Sequence, residues 1–208
     1  MLDLNAILSL SLACAPGVAP ETLAAIAYTE SRFDPLAIGV NAGPRPARRA
    51  RDAADAARIA KDLLARGANL DLGVAQINSG NLDWLNLSVE AAFDPCRNLE
   101  AAGRVLRAGY RLAPRERPQA ALRRAVSRYN TGHPTRGFAN GYVARVEAAA
   151  ARLGLSAPTE PVRPAPTMPA PAGPASEAEP ATWDVFARAR RSDLLAFAPD
   201  TPSWSLFR

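Results

Sequence analysis

Eight prolines, at positions 158, 161, 164, 166, 169, 171, 174 and 180, fall between Ser156 and Pro180. Each fixes its own φ and removes a backbone donor, so neither a helix nor a sheet ladder survives that spacing. The stretch reads as an extended, partly polyproline linker of Ala, Glu and Thr, semi-rigid and solvated. Whatever core the 208-residue chain builds therefore comes from residues 1–155, an ordinary size for one domain. Beyond the linker, residues 181–208 are rich in arginine and aromatic side chains, among them Trp183, Phe186, Phe197, Trp204 and Phe207. Two readings of that segment stay open: a disordered end, or a docking segment whose Trp, Phe, Leu and Arg side chains anchor on a partner.

Within residues 1–155 apolar side chains recur at spacings of three and four, which predicts an all-α domain with minimal sheet. A first helix turns Leu4, Ile7, Leu8 and Leu12 inward. The same run resembles the apolar part of a signal peptide, but a basic leader is missing, Asp3 has the wrong sign, and the run is too short to span a bilayer. A second helix begins near Pro20, suited to the first helical position, and runs through Glu30. Residues 33–50, with Pro35, Gly39, Gly43, Pro44 and Pro46, read as a connecting loop. Asp52 caps a third helix with the stripe Ala56, Ile59, Ala60 and Leu63, stopped by Gly67. Residues 69–78 suit short extended or irregular segments. Asn98 is placed as the cap of a helix carrying Ala102, Val105, Leu106, Gly109 and Tyr110. Pro118 opens another with Leu122, Ala125, Val126 and Tyr129 on one face, and residues 141–153 close the domain with Tyr142, Val146, Ala149 and Leu153 inward.

One acid breaks this pattern. Leu23, Ile26, Ala27 and Glu30 stand at i, i+3, i+4 and i+7 and so share a helical face, three of whose members belong in a core. Glu30 also sits at its helix's carbonyl end, because Pro35 biases Asp34 away from the helical region, and that end repels negative charge. Both effects push its pKa upward, and a carboxyl group protonated near neutral pH is what a general acid needs. A helix-end Glu paired with Arg32 or exposed to water is the competing reading at this point.

Composition narrows the classes. Lys61 is the only lysine among 25 basic residues, and of the net charge of +5 the positive excess, about +6, resides in the first 155 residues, since residues 156–208 sum to about −1. A GC-rich coding sequence explains the arginine excess, and so does an anionic polymer as partner. Nucleic-acid binding is disfavoured because the arginines are scattered rather than interleaved with aromatic side chains on one helix. Cys14 and Cys96 have no CxxC partner or histidine cluster nearby, which argues against a metal site; in an oxidising compartment they would bridge, in a reducing one they would be core thiols. His133, the only histidine, has no flanking motif for a nucleophilic triad.

Three stretches follow in order: Glu30-Ser31-Arg32-Phe33-Asp34-Pro35-Leu36-Ala37, Gly73-Val74-Ala75-Gln76-Ile77-Asn78, and Arg128-Tyr129-Asn130-Thr131-Gly132. Together they resemble the ES-x-F-x-P-x-A, G-L-M-Q-I and A-Y-N-x-G signatures of lytic transglycosylases with the soluble-lytic-transglycosylase (SLT), lysozyme-like domain, over roughly residues 12–150. Residues 14–27, Asp71–Ser79 and Phe93-Asp94-Pro95-Cys96 look like the VirB-type branch, the peptidoglycan-cutting component of type IV secretion and conjugation systems.

The resemblance implies a lysozyme-like helical domain with a small sheet, no cofactor, a periplasmic setting, peptidoglycan glycan strands as substrate and secretion components as partners of the tail. It implies that Glu30 alone performs both proton transfers, cleaving the bond between N-acetylmuramic acid and N-acetylglucosamine and forming a 1,6-anhydromuramyl end. Gln76 would bind acetamido or hydroxyl groups of a sugar, with Asn78 beside it in the same stretch. Tyr129 would orient the Glu30 carboxyl or touch substrate, and Ser31 and Asn130 would support or contact the ligand. Ala75 stands where the family usually has methionine, which would open space in the groove, and Gly39 stands where many relatives have serine. A hydrolysing muramidase, and a catalytically weak wall-binding assembly protein, stay open beside the transglycosylase.

Overall fold

The computed structural model describes residues 1–155, so the linker at 156–180 and the segment at 181–208 lie outside the described residues. Helix α1 (Leu4–Cys14) is capped by Asp3, whose carboxylate accepts from the Ala6 amide at 2.8 Å. It buries Ile7 and Ser11 and leaves Leu12 at 59% exposure, against the expected inward position. The inward stripe runs through buried Ile7 and Ser11 to half-buried Cys14 at i, i+4, i+7, because the Cys14–Cys96 disulfide holds that face toward α5; Leu12 is then on the outside.

Helix α2 (Pro20–Ser31) is the hub: Thr22 through Ala27 are buried around the whole circumference. Three alanines in that run let α1 and α8 approach from different sides. The helix ends at Arg32, whose φ of 58° is followed by 67° at Phe33, two left-handed residues that turn the chain sharply away.

Residues 33–50 are not wholly a loop. Ile38–Ala42 form β1, which pairs antiparallel with β2 (Asn69–Leu72), and β2 pairs with β3 (Ile77–Asn78). Ile38 faces Leu72, Gly39 faces Asp71, and Asp71 also faces Asn78. The β1–β2 connection carries the whole of α3 (Ala53–Ala65), so no tight turn announced the pairing. Along β2, Leu70 and Leu72 are fully buried, which places Asn69 and Asp71 on the opposite face.

Helix α3 begins at Asp52, which accepts from the Asp55 amide at 2.8 Å, and buries Ala56, Ala60 and Leu63. A single turn, α4 (Leu82–Leu85), leads to α5 (Pro95–Gly109). The cap of α5 is Asp94, four residues earlier than expected, with Pro95 at the first helical position. Asn98 is inside the helix and fully buried: its Oδ1 accepts from the Ala75 amide at 2.8 Å, and its Nδ2 donates to the carbonyls of Leu72 (2.9 Å) and Ala92 (2.7 Å). Helix α6 (Pro118–Thr131) buries Leu122, Ala125 and Val126 and ends on Gly132 at φ 68°; α7 (Arg136–Ala139) and α8 (Tyr142–Arg152) complete the domain, α8 lying on α2. The protein is mostly helical with a three-stranded sheet, and no described helix is long and apolar enough to cross a membrane.

Candidate active site

Glu30 occupies the last turn of α2, at the point where the buried face of the helix meets a groove of about 710 Å³. Its Oε1 accepts from the Tyr142 hydroxyl of α8 at 2.5 Å. Arg32 does not pair with it; that guanidinium donates to the Tyr28 carbonyl and lies over the Tyr28 ring. The carboxyl pKa is raised to about 7, first by burial, which disfavours the ionised form. The Tyr142 hydrogen bond opposes this, the negative charge of Asp71 adds to it, and Arg145 opposes it. Near neutral pH Glu30 is thus divided between acid and carboxylate, the balance a group needs to give a proton in one step and take one in the next.

The opposite wall is the exposed face of the sheet. Asn41 donates Nδ2 to Asn69 Oδ1 (3.0 Å) and to Asp71 Oδ2 (2.8 Å), and Asn78 donates Nδ2 to the same Asn69 oxygen (2.8 Å) and to Asp71 Oδ1 (2.8 Å). Trp84, whose indole N–H donates to Asn81 at 3.0 Å, adds an aromatic surface, and the ends of α5 and α6 contribute Gly109, Arg128, Tyr129 and Asn130. Amides, a carboxylate and an exposed indole suit a polar, flat-faced ligand such as a saccharide.

A strained turn joins the two walls. Gly73 (φ 76°) and Gln76 (φ 52°) are both left-handed. A Cβ at Gly73 would come within 2.2 Å of the Ala92 carbonyl oxygen and 2.4 Å of Asn98 Nδ2, so only glycine fits. Gln76 is held by its side-chain amide, which donates to the carbonyls of Gly73 (2.8 Å) and Ala37 (3.2 Å). Its Oε1 occupies the space beside Gly39, where an added Cβ would approach it to 2.6 Å. A side chain at position 39 and this placement of Gln76 therefore exclude each other.

Residues 8–151 match the family described as the transglycosylase SLT domain. The chain belongs to that family. It is 48% identical over 143 residues to protein virB1 of Agrobacterium fabrum (strain C58 / ATCC 33970), a match covering 67% of this chain and 57% of that protein. Over 151 residues it is 42% identical to type IV secretion system protein virB1 of Brucella abortus biovar 1 (strain 9-941), covering 69% and 63% respectively. The matches thus span about three fifths of the length of these curated relatives. No solved structure gives a match.

In this SLT domain Glu30, Gln76, Asn78, Tyr129 and Asn130 line one groove. Ser31 does not line it. Its hydroxyl donates to the Val74 carbonyl at 2.6 Å and accepts from the Asp34 amide at 3.0 Å, tying the end of α2 to the Gly73–Gln76 turn. The Tyr129 hydroxyl goes to the Ala75 carbonyl at 2.7 Å, so the group that orients Glu30 is Tyr142 instead. Burial raises the phenol pKa of Tyr129 well above its ordinary value, with the charges of Glu30 and Asp71 adding to this, which keeps the hydroxyl a donor. Asn130 accepts from Asn140 at 2.9 Å. Ala75 opens no space: its side chain is fully buried and absent from the groove wall.

Sequence reasoning passed over Tyr142 and Asp71. Tyr142 has the spacing of a core residue with Val146 and Ala149, and 112 residues separate it from Glu30. Asp71 carried a usable signal, since Leu70 and Leu72 flank it and a strand there turns the three side chains to alternating faces. Among the described residues no group of three His, Cys, Asp or Glu side chains could hold a metal ion, and His133 lies off the groove, beside Thr135.

Proposed function

We propose that the protein is a peptidoglycan lytic transglycosylase that opens the cell wall locally for a type IV secretion or conjugation machine. The observation that carries this reading is a glutamate with a pKa near 7, held by a tyrosine hydroxyl at one side of a groove whose wall includes side-chain amides, a carboxylate and an indole. Protonated Glu30 gives its proton to the oxygen linking muramic acid to N-acetylglucosamine, and the bonding pair leaves with that oxygen. The resulting carboxylate then takes the proton of the muramic C6 hydroxyl as that oxygen closes on the anomeric carbon, giving a 1,6-anhydromuramyl end. The attacking group is supplied by the sugar itself, so its proximity costs little further entropy. The virB1 names of the relatives support the secretion setting. The Cys14–Cys96 bridge supports an oxidising compartment such as the periplasm.

Asp71, a carboxylate in the same groove, keeps hydrolysis as a second reading, in which water replaces the C6 hydroxyl. Digestion of purified peptidoglycan followed by mass spectrometry separates the two, because their products differ by one water. Substituting Glu30→Gln is expected to cut anhydromuropeptide release by roughly a thousandfold or more while wall binding persists. Undiminished release from that variant would reject Glu30 as the acid.

A further inference from the structure

Asp71 has no part in the proton transfers assigned to Glu30, yet both of its carboxylate oxygens are held in place. Strand alternation points it away from the core, into the cavity that Glu30 also lines. Both of its carboxylate oxygens accept an amide proton, one from Asn41 of β1 and one from Asn78 of β3, each at 2.8 Å. Asn69 completes the set by accepting from the same two amides, which fixes both donors in place. No described arginine or lysine forms an ion pair with Asp71, so its carboxylate is oriented by neutral dipoles, in a groove that Arg111 and Arg128 also line. Gly39, directly across the ladder, places no side chain beside it, and Gln76 Oε1 fills that space. A salt-bridge anchor would neutralise the carboxylate; this arrangement orients it while preserving its field.

We infer that Asp71 is a second carboxylate of the reaction, facing the positive charge that develops at the anomeric carbon when Glu30 protonates the leaving oxygen. The inference rests on the transglycosylase or muramidase reading of the groove. As the glycosidic bond breaks, its electron pair goes to the leaving oxygen with the Glu30 proton, and the ring carbon becomes cationic. The fixed Asp71 carboxylate stabilises that cation from the sheet wall without forming a bond. The C6 hydroxyl, or water, then adds to the carbon and its proton returns to Glu30. The two acids are electrostatically linked in the resting protein too, since Asp71 contributes to the raised pKa of Glu30. The other groups facing Glu30 are Tyr142 and Arg145 of α8 and Tyr129 of α6.

The test uses the full chain on purified peptidoglycan, with kcat, KM and the pH profile measured for wild type, Asp71→Asn and Asn41→Ala. For Asp71→Asn a fall in kcat of roughly 10²-fold is expected, with KM within about threefold, as for loss of one transition-state electrostatic partner. The alkaline limb of its profile should move to lower pH, because a negative neighbour of Glu30 is gone. Asn41→Ala keeps the carboxylate but removes one of its two amide donors, and a smaller fall, roughly three- to tenfold, is expected. It also decides the matter should Asp71→Asn not fold. Full kcat in both variants overturns the inference, as does a loss of activity accompanied by a lowered melting temperature and an unmoved alkaline limb. A wild-type chain that releases no muropeptides would sink the functional reading instead, while an active wild type with an unaffected Asp71→Asn sinks only this inference.

Discussion

Glu30 illustrates how a single side chain acquires a working pKa from opposing causes. Burial at the end of a packed helix disfavours its charge, and the Tyr142 hydroxyl at 2.5 Å partly restores it. Removing the hydroxyl therefore has a definite sign. In Tyr142→Phe the carboxylate loses its donor, the Glu30 pKa rises beyond about 7, and the alkaline limb of kcat/KM moves to higher pH. At pH 7 kcat should fall by about tenfold, because the hydroxyl that orients the Glu30 carboxyl for both proton transfers is gone. A pH–rate series for the two proteins checks both expectations, and the direction is opposite to that expected for Asp71→Asn. The acid itself was legible from its place on an apolar stripe, whereas its partner was not, because a tyrosine at core spacing reads as core.

At the scale of elements the groove depends on a joint that carries no chemistry. Asn98, inside α5, satisfies the Ala75 amide and the carbonyls of Leu72 and Ala92, pinning strand β2 and the Gly73–Gln76 turn to the helix. Asn98→Ala would leave three buried backbone groups without partners, and a stability loss of about 3 kcal/mol or more is expected in urea titrations. Activity should fall with it, since the turn places Gln76. The sequence suggested a cap at Asn98 because caps and buried amide brackets use the same side chain; only the Asp94-Pro95 start four residues upstream distinguishes them. Helices α2, α3, α5, α6 and α8 were readable from spacing and caps. Strand β1 was not, because Ile38-Gly-Val-Asn-Ala gains its hydrogen bonds from β2, across the whole of α3.

At the scale of the molecule, the groove exists because a small sheet is held against a helical cluster, with α1 clamped to α5 by the bridge between Cys14 and Cys96, 82 residues apart. Closing a loop of that length restricts the unfolded chain, and replacing both cysteines with alanine should cost about 4 kcal/mol. Thermal unfolding should show a drop on the order of 10 °C, and reductant should reproduce it in the wild type. The bridge lies away from Glu30, so activity below the transition should be largely kept. The sequence by itself determined the helical class and the exceptional acid, because the 3.6-residue period and a charge on an apolar face are local properties. Only the tertiary structure decided that Tyr142 holds Glu30, that Tyr129 serves the Ala75 carbonyl, and that Asp71 faces the groove. Those are contacts between residues 41 to 112 positions apart or across a ladder, and packing alone sets which distant groups meet.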